Sequence, residues 1–149
     1  MWRILGKVAH LWPKNLYRII SKIHSKIIKF NHTKAGEYIL GDHILLLETI
    51  GNKSQKLRKT PLTYAEHNDS YIVAASFSGN KNTPDWYFNL FTSTPYITVK
   101  NSRFQVIVEE IKSDNKEFYW SLLDQVYPTF KIYRERADRD IPLIKFTKA

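Results

Sequence analysis

Apolar and polar positions follow two different rhythms along this chain, and the change of rhythm divides it. Before residue 36, Leu16, Ile19, Ile20, Ile23, Ile27 and Phe30 recur at steps of three, four or one, while Arg18, Lys22, Lys26 and Lys29 fall on the opposite side of the same helical wheel. That spacing predicts an amphipathic helix with one basic face. Pro13 suits a first helical turn and separates this helix from a shorter leading segment carrying Trp2, Ile4, Leu5, Val8, Leu11 and Trp12.

From Ile44 onward the pattern becomes short apolar runs divided by turn residues, which is the rhythm of strands. Strands are predicted at Ile44–Ile50, Pro61–His67, Tyr71–Ser76, Tyr96–Lys100, Phe104–Glu110 and Ile141–Phe146. Asn68-Asp69 and Asn101-Ser102 are short and polar enough for hairpin turns, so the pairing should be antiparallel. A helix should begin at Thr83-Pro84-Asp85, with Thr83 as N-cap and Pro84 at the first helical position. It carries Trp86, Tyr87, Leu90 and Phe91. A second helix is expected from Asp114 to Tyr127, opened by an Asp114–Glu117 capping box and presenting Phe118, Leu122, Leu123 and Val126 on one face. Six hairpin-linked strands hide their edges best by closing on themselves. The predicted architecture is therefore mainly β: a six-stranded antiparallel split barrel with flanking helices. It forms one domain over residues 37–149, preceded by a basic helical arm over residues 1–36.

Composition narrows the chemistry. A chain of 149 residues that is 43% hydrophobic and 14% aromatic can bury one core and has no need to remain disordered. The absence of cysteine excludes disulfides, zinc ribbons, iron–sulfur clusters and thiol catalysis. His10, His24, His32, His43 and His67 show no paired-ligand spacing, so no metal site is expected. No apolar run reaches the roughly 20 residues of a membrane span, and the start from Met1 to Lys7 lacks the features of a secretory leader. A cytoplasmic location is expected.

Charge is distributed unevenly. Residues 1–36 hold eight of the 23 cations and no Asp or Glu, so almost all of the formal +9 belongs to the arm. Such an arm speaks of a partner more than of the fold. Its apolar stripe could pack on the barrel with the lysines solvated. Alternatively residues 1–30 could lie on an anionic membrane, with Trp2 and Trp12 at headgroup depth and the protein peripheral to the inner face of the cell membrane. Cations on one face could also follow nucleic-acid phosphates, but no recognisable reading module accompanies them.

No Gly-rich dinucleotide loop, Walker A sequence, nucleophile elbow or HExxH is present. Asp138 and Asp140 flank Arg139 as in a surface ion pair. The chemistry should therefore come from a bound cofactor. The stretch from Gly51 to Pro61 carries Lys53, Lys56, Arg58 and Lys59 with no acid, and the Ser54 and Thr60 hydroxyls add neutral donors. Such a loop can hold an anion. Nearby, Ala74-Ala75-Ser76 leads into a polar loop and then into Trp86 and Tyr87, where small side chains would let a flat ring approach the backbone.

The succession Leu45-Leu46-Leu47-Glu48-Thr49-x-Gly51-x-Lys53-Ser54, Arg58-x-Thr60-Pro61-Leu62-x-Tyr64, Ala74-Ala75-Ser76, Pro84-x-Trp86-Tyr87-x-Asn89-Leu90, Tyr127-Pro128 and Asp138-Arg139-x-Ile141-Pro142 resembles the deazaflavin-dependent nitroreductase and quinone reductase family, within the flavin-binding split barrels. The agreement spans about residues 38–146. The resemblance implies coenzyme F420, an 8-hydroxy-5-deazaflavin with an anionic phosphodiester and oligoglutamate tail. It further implies that Lys53, Ser54 and Arg58 grip the phosphate and tail, with Lys56 and Lys59 adding electrostatic attraction. Thr60, Pro61, Leu62 and Tyr64 would line the ring's path. Ala74, Ala75 and Ser76 would approach the ring, and Asn82, Trp86, Tyr87 and Asn89 would frame its loop-helix side.

In the acceptor pocket that the family places near the last helical region, Tyr127, Phe130 and Tyr133 recur at spacing three and could cover a flat molecule. Hydride from C5 of the reduced deazaflavin would pass to a quinone, enone or nitro acceptor, with Tyr133 or Ser76 donating a proton or hydrogen bond. Asn52 and Gln55 stand where the Arg and Gly common in the family's GRKSG turn would be, which weakens one phosphate contact. Phe130 lacks a hydroxyl that some nitro-reducing members place there. Two other functions fit the residues as well: an FMN-dependent reductase or oxidase of the same fold, and a non-enzymatic basic protein at a membrane surface or carrying a cofactor.

Overall fold

The computed structural model describes residues 43–149, so the predicted basic arm lies outside the described residues. The strands are β1 (Ile44–Ile50), β2 (Leu57–His67), β3 (Ser70–Ala74), β4 (Tyr96–Val99), β5 (Ser102–Glu110) and β6 (Leu143–Lys148). All neighbours pair antiparallel, and the sheet closes in the order β1-β2-β3-β6-β5-β4. The split-barrel expectation is met.

Strand β2 makes the closure possible. Its first part, Leu57–Thr63, pairs with β1, and its last part, Tyr64–His67, pairs with β3. One long strand thus serves two sheets. Asn68 and Asp69, with φ of 46° and 56°, form the β2–β3 hairpin turn in the left-handed conformation that short hairpins need. At the β4–β5 turn the left-handed residue is Lys100, and Ser102 already belongs to β5, so that turn lies one residue before the predicted Asn101-Ser102.

Two apolar layers hold the domain. Inside the barrel, Leu45, Leu47, Tyr64, Val73, Ile97, Val106, Ile144 and Phe146 meet Trp86 and Leu90. The latter two come from or directly follow helix α1 (Asp85–Asn89). Outside, Ala65, Ile72, Ala74 and Leu143 form a second layer with Trp120 and Leu123 of α2 (Lys116–Val126) and with Phe130, Tyr133 and Ala137 of α3 (Phe130–Ala137). Alternation of strand side chains divides neighbours between the two layers. Across the top of the helices Arg134 donates to both carboxylate oxygens of Asp124, at 3.0 and 2.8 Å, and its guanidinium lies 4.3 Å over the Trp120 ring.

Several boundaries differ from the sequence expectation. The ladder from Ile50↔Leu57 to Leu47↔Thr60 draws half of the cationic stretch into β2, because cross-strand pairing overrides the weak strand preference of Arg and Lys. Strand β3 stops at Ala74, where the chain turns away through Ser76 and Phe77. Strand β6 begins only after Pro142, which has no amide to give a ladder. Helix α1 is capped by Pro84 in extended conformation and not by Thr83. Before α2 a 3-10 turn spans Ser113–Asn115, and Asn115 is the cap with no side-chain bond, so the predicted capping box does not form. The helix expected from Asp114 to Tyr127 is α2, one residue shorter at its end, and α3 starts afresh beyond Pro128.

Candidate active site

The turn between β1 and β2 is closed by main-chain bonds: Gly51 N–H donates to Lys56 O at 2.9 Å, and Gln55 N–H to Gly51 O at 2.8 Å. Lys53, Lys56 and Arg58 are exposed on it. Arg58 Nη2 donates to Ser54 Oγ at 2.7 Å directly over Gly51. A Cβ on Gly51 would come within 2.6 Å of Ser54 Oγ and 3.1 Å of Arg58 Nε, so a side chain there would push this pair out of its arrangement. The result is a small cradle of hydroxyl, guanidinium and two ammonium groups with no carboxylate in the turn. Its donor set fits a phosphodiester and a polyanionic tail. Just before it, Thr49 is buried and its hydroxyl has no hydrogen-bond partner.

Lys59 stands apart from this cradle. Leu62 and Tyr64 face the barrel interior, so Arg58 and Thr60 share their side of β2, while Lys59 and Pro61 face outward. There Lys59 Nζ pairs with Glu48, and Arg103 Nη2 meets the same carboxylate at 2.8 Å. Burial pushes the Glu48 carboxyl up, but the hydrogen bonds and charges of Lys59 and Arg103 outweigh it and hold the group below its ordinary value. The structure therefore compensates the Lys59 charge. It also separates Pro61 from Thr60, Leu62 and Tyr64, which were expected to line one path together.

Tyr64, Ala75 and Trp86 meet in the barrel core, with Leu62 and Tyr87 packed against them. Ala74 points the other way, into the layer that holds Phe130 and Tyr133. Asn89 is buried, and its side-chain oxygen accepts the Asn52 amide at 3.0 Å. Tyr87 donates its hydroxyl to Glu110 at 2.6 Å; this bond, then burial and the Glu110 charge, push the phenol up to about 12. Of the three aromatics expected to cover an acceptor, Phe130 and Tyr133 are buried and Tyr127 is half-buried. Their rings lie 5.3 to 6.1 Å apart, and the Tyr127 and Tyr133 hydroxyl oxygens are 3.3 Å apart.

Ser76 is buried at the mouth of the loop that follows β3. Beyond it, Phe77, Ser78 and Gly79 are all left-handed, with φ of 47°, 55° and 78°. Two consecutive non-glycine residues in that region cost about 1–2 kcal/mol each. The loop is held from one side by Arg139. Its guanidinium donates to the main-chain oxygens of Ala75 at 2.9 Å and of Asn80, Asn82 and Asp140 at 3.2 Å each. Burial pushes that guanidinium below its ordinary value, and Asp140 opposes the shift.

The surface ion pair expected around Arg139 is thus replaced by a carbonyl clamp: Asp140 pairs with Lys116, and Asp138 is the left-handed cap of α3. Asn82, exposed, has its amide and side-chain nitrogen on Asn80 Oδ1. Sequence reading missed Arg139, Glu48 and Glu110 as members of this neighbourhood. For Arg139 the signal was its place in the Asp138-Arg139-x-Ile141-Pro142 motif.

Among the described residues no group of His, Asp and Glu could hold a metal ion, and no helix is long and apolar enough to cross a membrane. The profile of the F420H(2)-dependent quinone reductase family matches residues 20–147. The chain is 30% identical over 132 residues to an F420H(2)-dependent quinone reductase of Mycobacterium tuberculosis, covering 85% of this chain and 89% of that one. Among solved structures it is similar to the F420-H2 dependent reductase FDR-A, with 31% identity, 69% and 92% coverage and a TM-score of 0.62. A chain described as a domain-swapped dimer shows 28% identity, 89% and 94% coverage and a TM-score of 0.65.

Proposed function

The chain belongs to the F420H(2)-dependent quinone reductase family, and we propose that its cationic β1–β2 turn holds the tail of coenzyme F420 while the Ser76 loop and Tyr133 present an organic acceptor to the ring. Membership makes the protein an oxidoreductase that draws on reduced F420. The bound cofactor supplies hydride. The protein supplies position and hydrogen bonds.

The observation that carries the reading is the cradle of Ser54, Arg58, Lys53 and Lys56 over Gly51. Ser54 and Arg58 bind the phosphodiester, and the two lysines attract the acidic tail. Thr60, Leu62 and Tyr64 lie along the inner side of β2 on the way to Ala75 and Ser76, with Trp86 and Tyr87 behind. Ser76 and Tyr133 hold the hydroxyls best placed to donate to an oxyanion developing on the acceptor, and Tyr127 and Phe130 flank it. A quinone is the acceptor most in keeping with the family; enones and nitro compounds share the flat, electron-poor form. FMN would meet the same phosphate donors but offers no polyanionic tail to Lys53 and Lys56.

Residues 1–30 carry two tryptophans among cations without an acid, and the proposal gives them an anionic membrane surface as partner. Loss of co-sedimentation with anionic vesicles on deleting residues 1–30 supports it; unchanged binding overturns it.

The central test is fluorescence titration of the full chain with F420 and with FMN, joined to oxidation of reduced F420 by menadione. Lys53→Glu with Arg58→Glu should weaken F420 binding by about 100-fold or more, since each opposed charge in a partly screened site is worth roughly 1–3 kcal/mol. Lys59→Met should leave binding intact and cost stability. F420 affinity that survives the double reversal, or a preference for FMN, overturns the proposal.

A further inference from the structure

The segment Asp138–Pro142 grips Ala75 on both sides. Ala75 N–H donates to Pro142 O at 2.9 Å, and Ala75 O accepts Arg139 Nη2 at 2.9 Å. The same guanidinium then reaches forward to Asn80 O and Asn82 O, spanning the loop from its first residue to its last. Between these anchors lie the three left-handed residues Phe77, Ser78 and Gly79. Such a run persists only when the surroundings over-determine it.

The far side of the loop rests on α3. A Cβ on Gly79 would stand 3.1 Å from Tyr133 Cα, Tyr133 O and Arg136 Cβ, so the glycine lies flat against the backbone of Tyr133 itself. Ser76 O accepts Gly79 N–H at 2.9 Å, which ties the Ser76 end to the Gly79 end across one turn. A continuous set of contacts therefore runs from Arg139 through the left-handed turn to Ser76 on one side and Tyr133 on the other.

From this geometry we infer that Arg139 is a positioning residue for the reaction: by clamping the loop carbonyls it fixes the left-handed turn and hence the placement of Ser76 relative to Tyr133. The inference rests on the proposed role of those two residues in the site. A single ammonium cannot replace it, because one point donor does not span carbonyls at both ends of a loop as a planar fork does. The tail-binding cradle sits on a different turn and does not depend on this clamp.

The test pairs Arg139→Lys and Arg139→Gln with Gly79→Ala, which loosens the same contact from the α3 side. In ligand-free protein, amide exchange over residues 76–82 should rise by about 10-fold or more in both Arg139 variants while the strands keep wild-type protection. With menadione and saturating reduced F420, kcat should fall about 10- to 100-fold in all three, the scale of a misplacement near 1 Å. F420 affinity should fall by clearly less than kcat, since the tail contacts are untouched and only the ring contacts of the loop are loosened.

Unchanged exchange over 76–82, or raised exchange with wild-type kcat in Arg139→Lys, overturns the inference. So does a uniform loss of protection across the barrel with equal losses in affinity and kcat, the pattern of a merely structural residue. Wild-type protein without F420 affinity would instead overturn the functional reading beneath it.

Discussion

Asn89 on α1 and Asn52 on the cationic turn are joined by a 3.0 Å hydrogen bond from the Asn52 amide to the Asn89 side-chain oxygen. The main-chain oxygen of Asn89 also accepts the Ser93 hydroxyl at 3.1 Å, and Ser93 Oγ accepts the Ile50 amide at 3.2 Å. One buried residue thus holds both flanks of Gly51. The resemblance implied that Asn89 touches the cofactor; the structure places its side chain on the turn that would hold the tail.

Asn89→Ala leaves the Asn52 amide without its acceptor and frees the turn. A stability loss of about 1–3 kcal/mol is expected, the cost of one unmade bond in a partly buried place. F420 affinity should fall with it, because the Ser54–Arg58 cradle is no longer preorganised. Asn89→Asp keeps an acceptor and should restore stability, but its negative charge beside the lysines should keep affinity low. Urea denaturation and fluorescence titration separate the two effects; wild-type affinity in Asn89→Ala would refute the tie.

Glu48 makes acid stability predictable. Its folded value lies below the ordinary 4.5 because Lys59 and Arg103 outweigh the opposing effect of burial. A depressed carboxyl contributes stability that is fully present above the unfolded value and is lost as pH falls through the folded one. Glu48→Gln should therefore cost about 1–3 kcal/mol at pH 7. That is less than a fully buried pair, since Arg103 is half-exposed. The loss relative to wild type should shrink as pH drops below 4.5. Denaturant midpoints measured from neutral to acid pH check this, and a constant difference across the range would contradict it.

The strands and their closure were legible because inward positions such as Leu45, Leu47, Ile144 and Phe146 alternate with outward ones, and hairpin-linked strands hide their edges best by closing; the order β1-β2-β3-β6-β5-β4 was not. Boundaries were less legible where pairing overrode composition, as at Leu57–Thr60, or where a local signal lost to the tertiary fold, as at the unformed Asp114–Glu117 box. In the candidate site, charge alone did not set the cationic turn apart from a solvated hairpin loop, and only the small residues and aromatics that follow in the sequence pointed to an anion-holding turn beside a ring. The clamp of Arg139 could not be read, because its partners are main-chain carbonyls, and carbonyls leave no trace in the identity of the residues that bear them. Lys59 was misleading for a related reason: its compensating charge, Glu48, sits eleven positions earlier and becomes a neighbour only through the β1–β2 register.

Tyr87 reports on the union of α1 with the end of β5. Its phenol donates to Glu110 and is pushed up to about 12 by that bond. A raised acid contributes stability that is complete below its unfolded value near 10 and is lost as pH climbs through the folded one. Glu110→Gln should bring the Tyr87 transition down toward 10 and make the protein less stable at neutral pH. Tyrosine ring NMR followed to high pH checks the shift. A Tyr87 transition that stays in place in Glu110→Gln would show that burial, and not the carboxylate, sets it.

Gln55 occupies a left-handed position, φ 51°, of the kind that glycine adopts without strain. A side chain there costs about 1–2 kcal/mol. Part of that cost is offset by Gln55 Nε2, which donates to Asn52 O at 2.7 Å on the exposed side of the turn. Gln55→Gly removes the strain and the bond together and loosens the unfolded chain by roughly 0.5–1 kcal/mol. The balance is a variant between neutral and about 1 kcal/mol more stable. Gln55→Ala keeps the strain and loses the bond, so it should be the less stable of the two. Neither change touches a charge, and F420 affinity should hold in both. Urea midpoints that rank Gln55→Ala above Gln55→Gly would mean that the left-handed backbone at this position carries no strain for glycine to relieve.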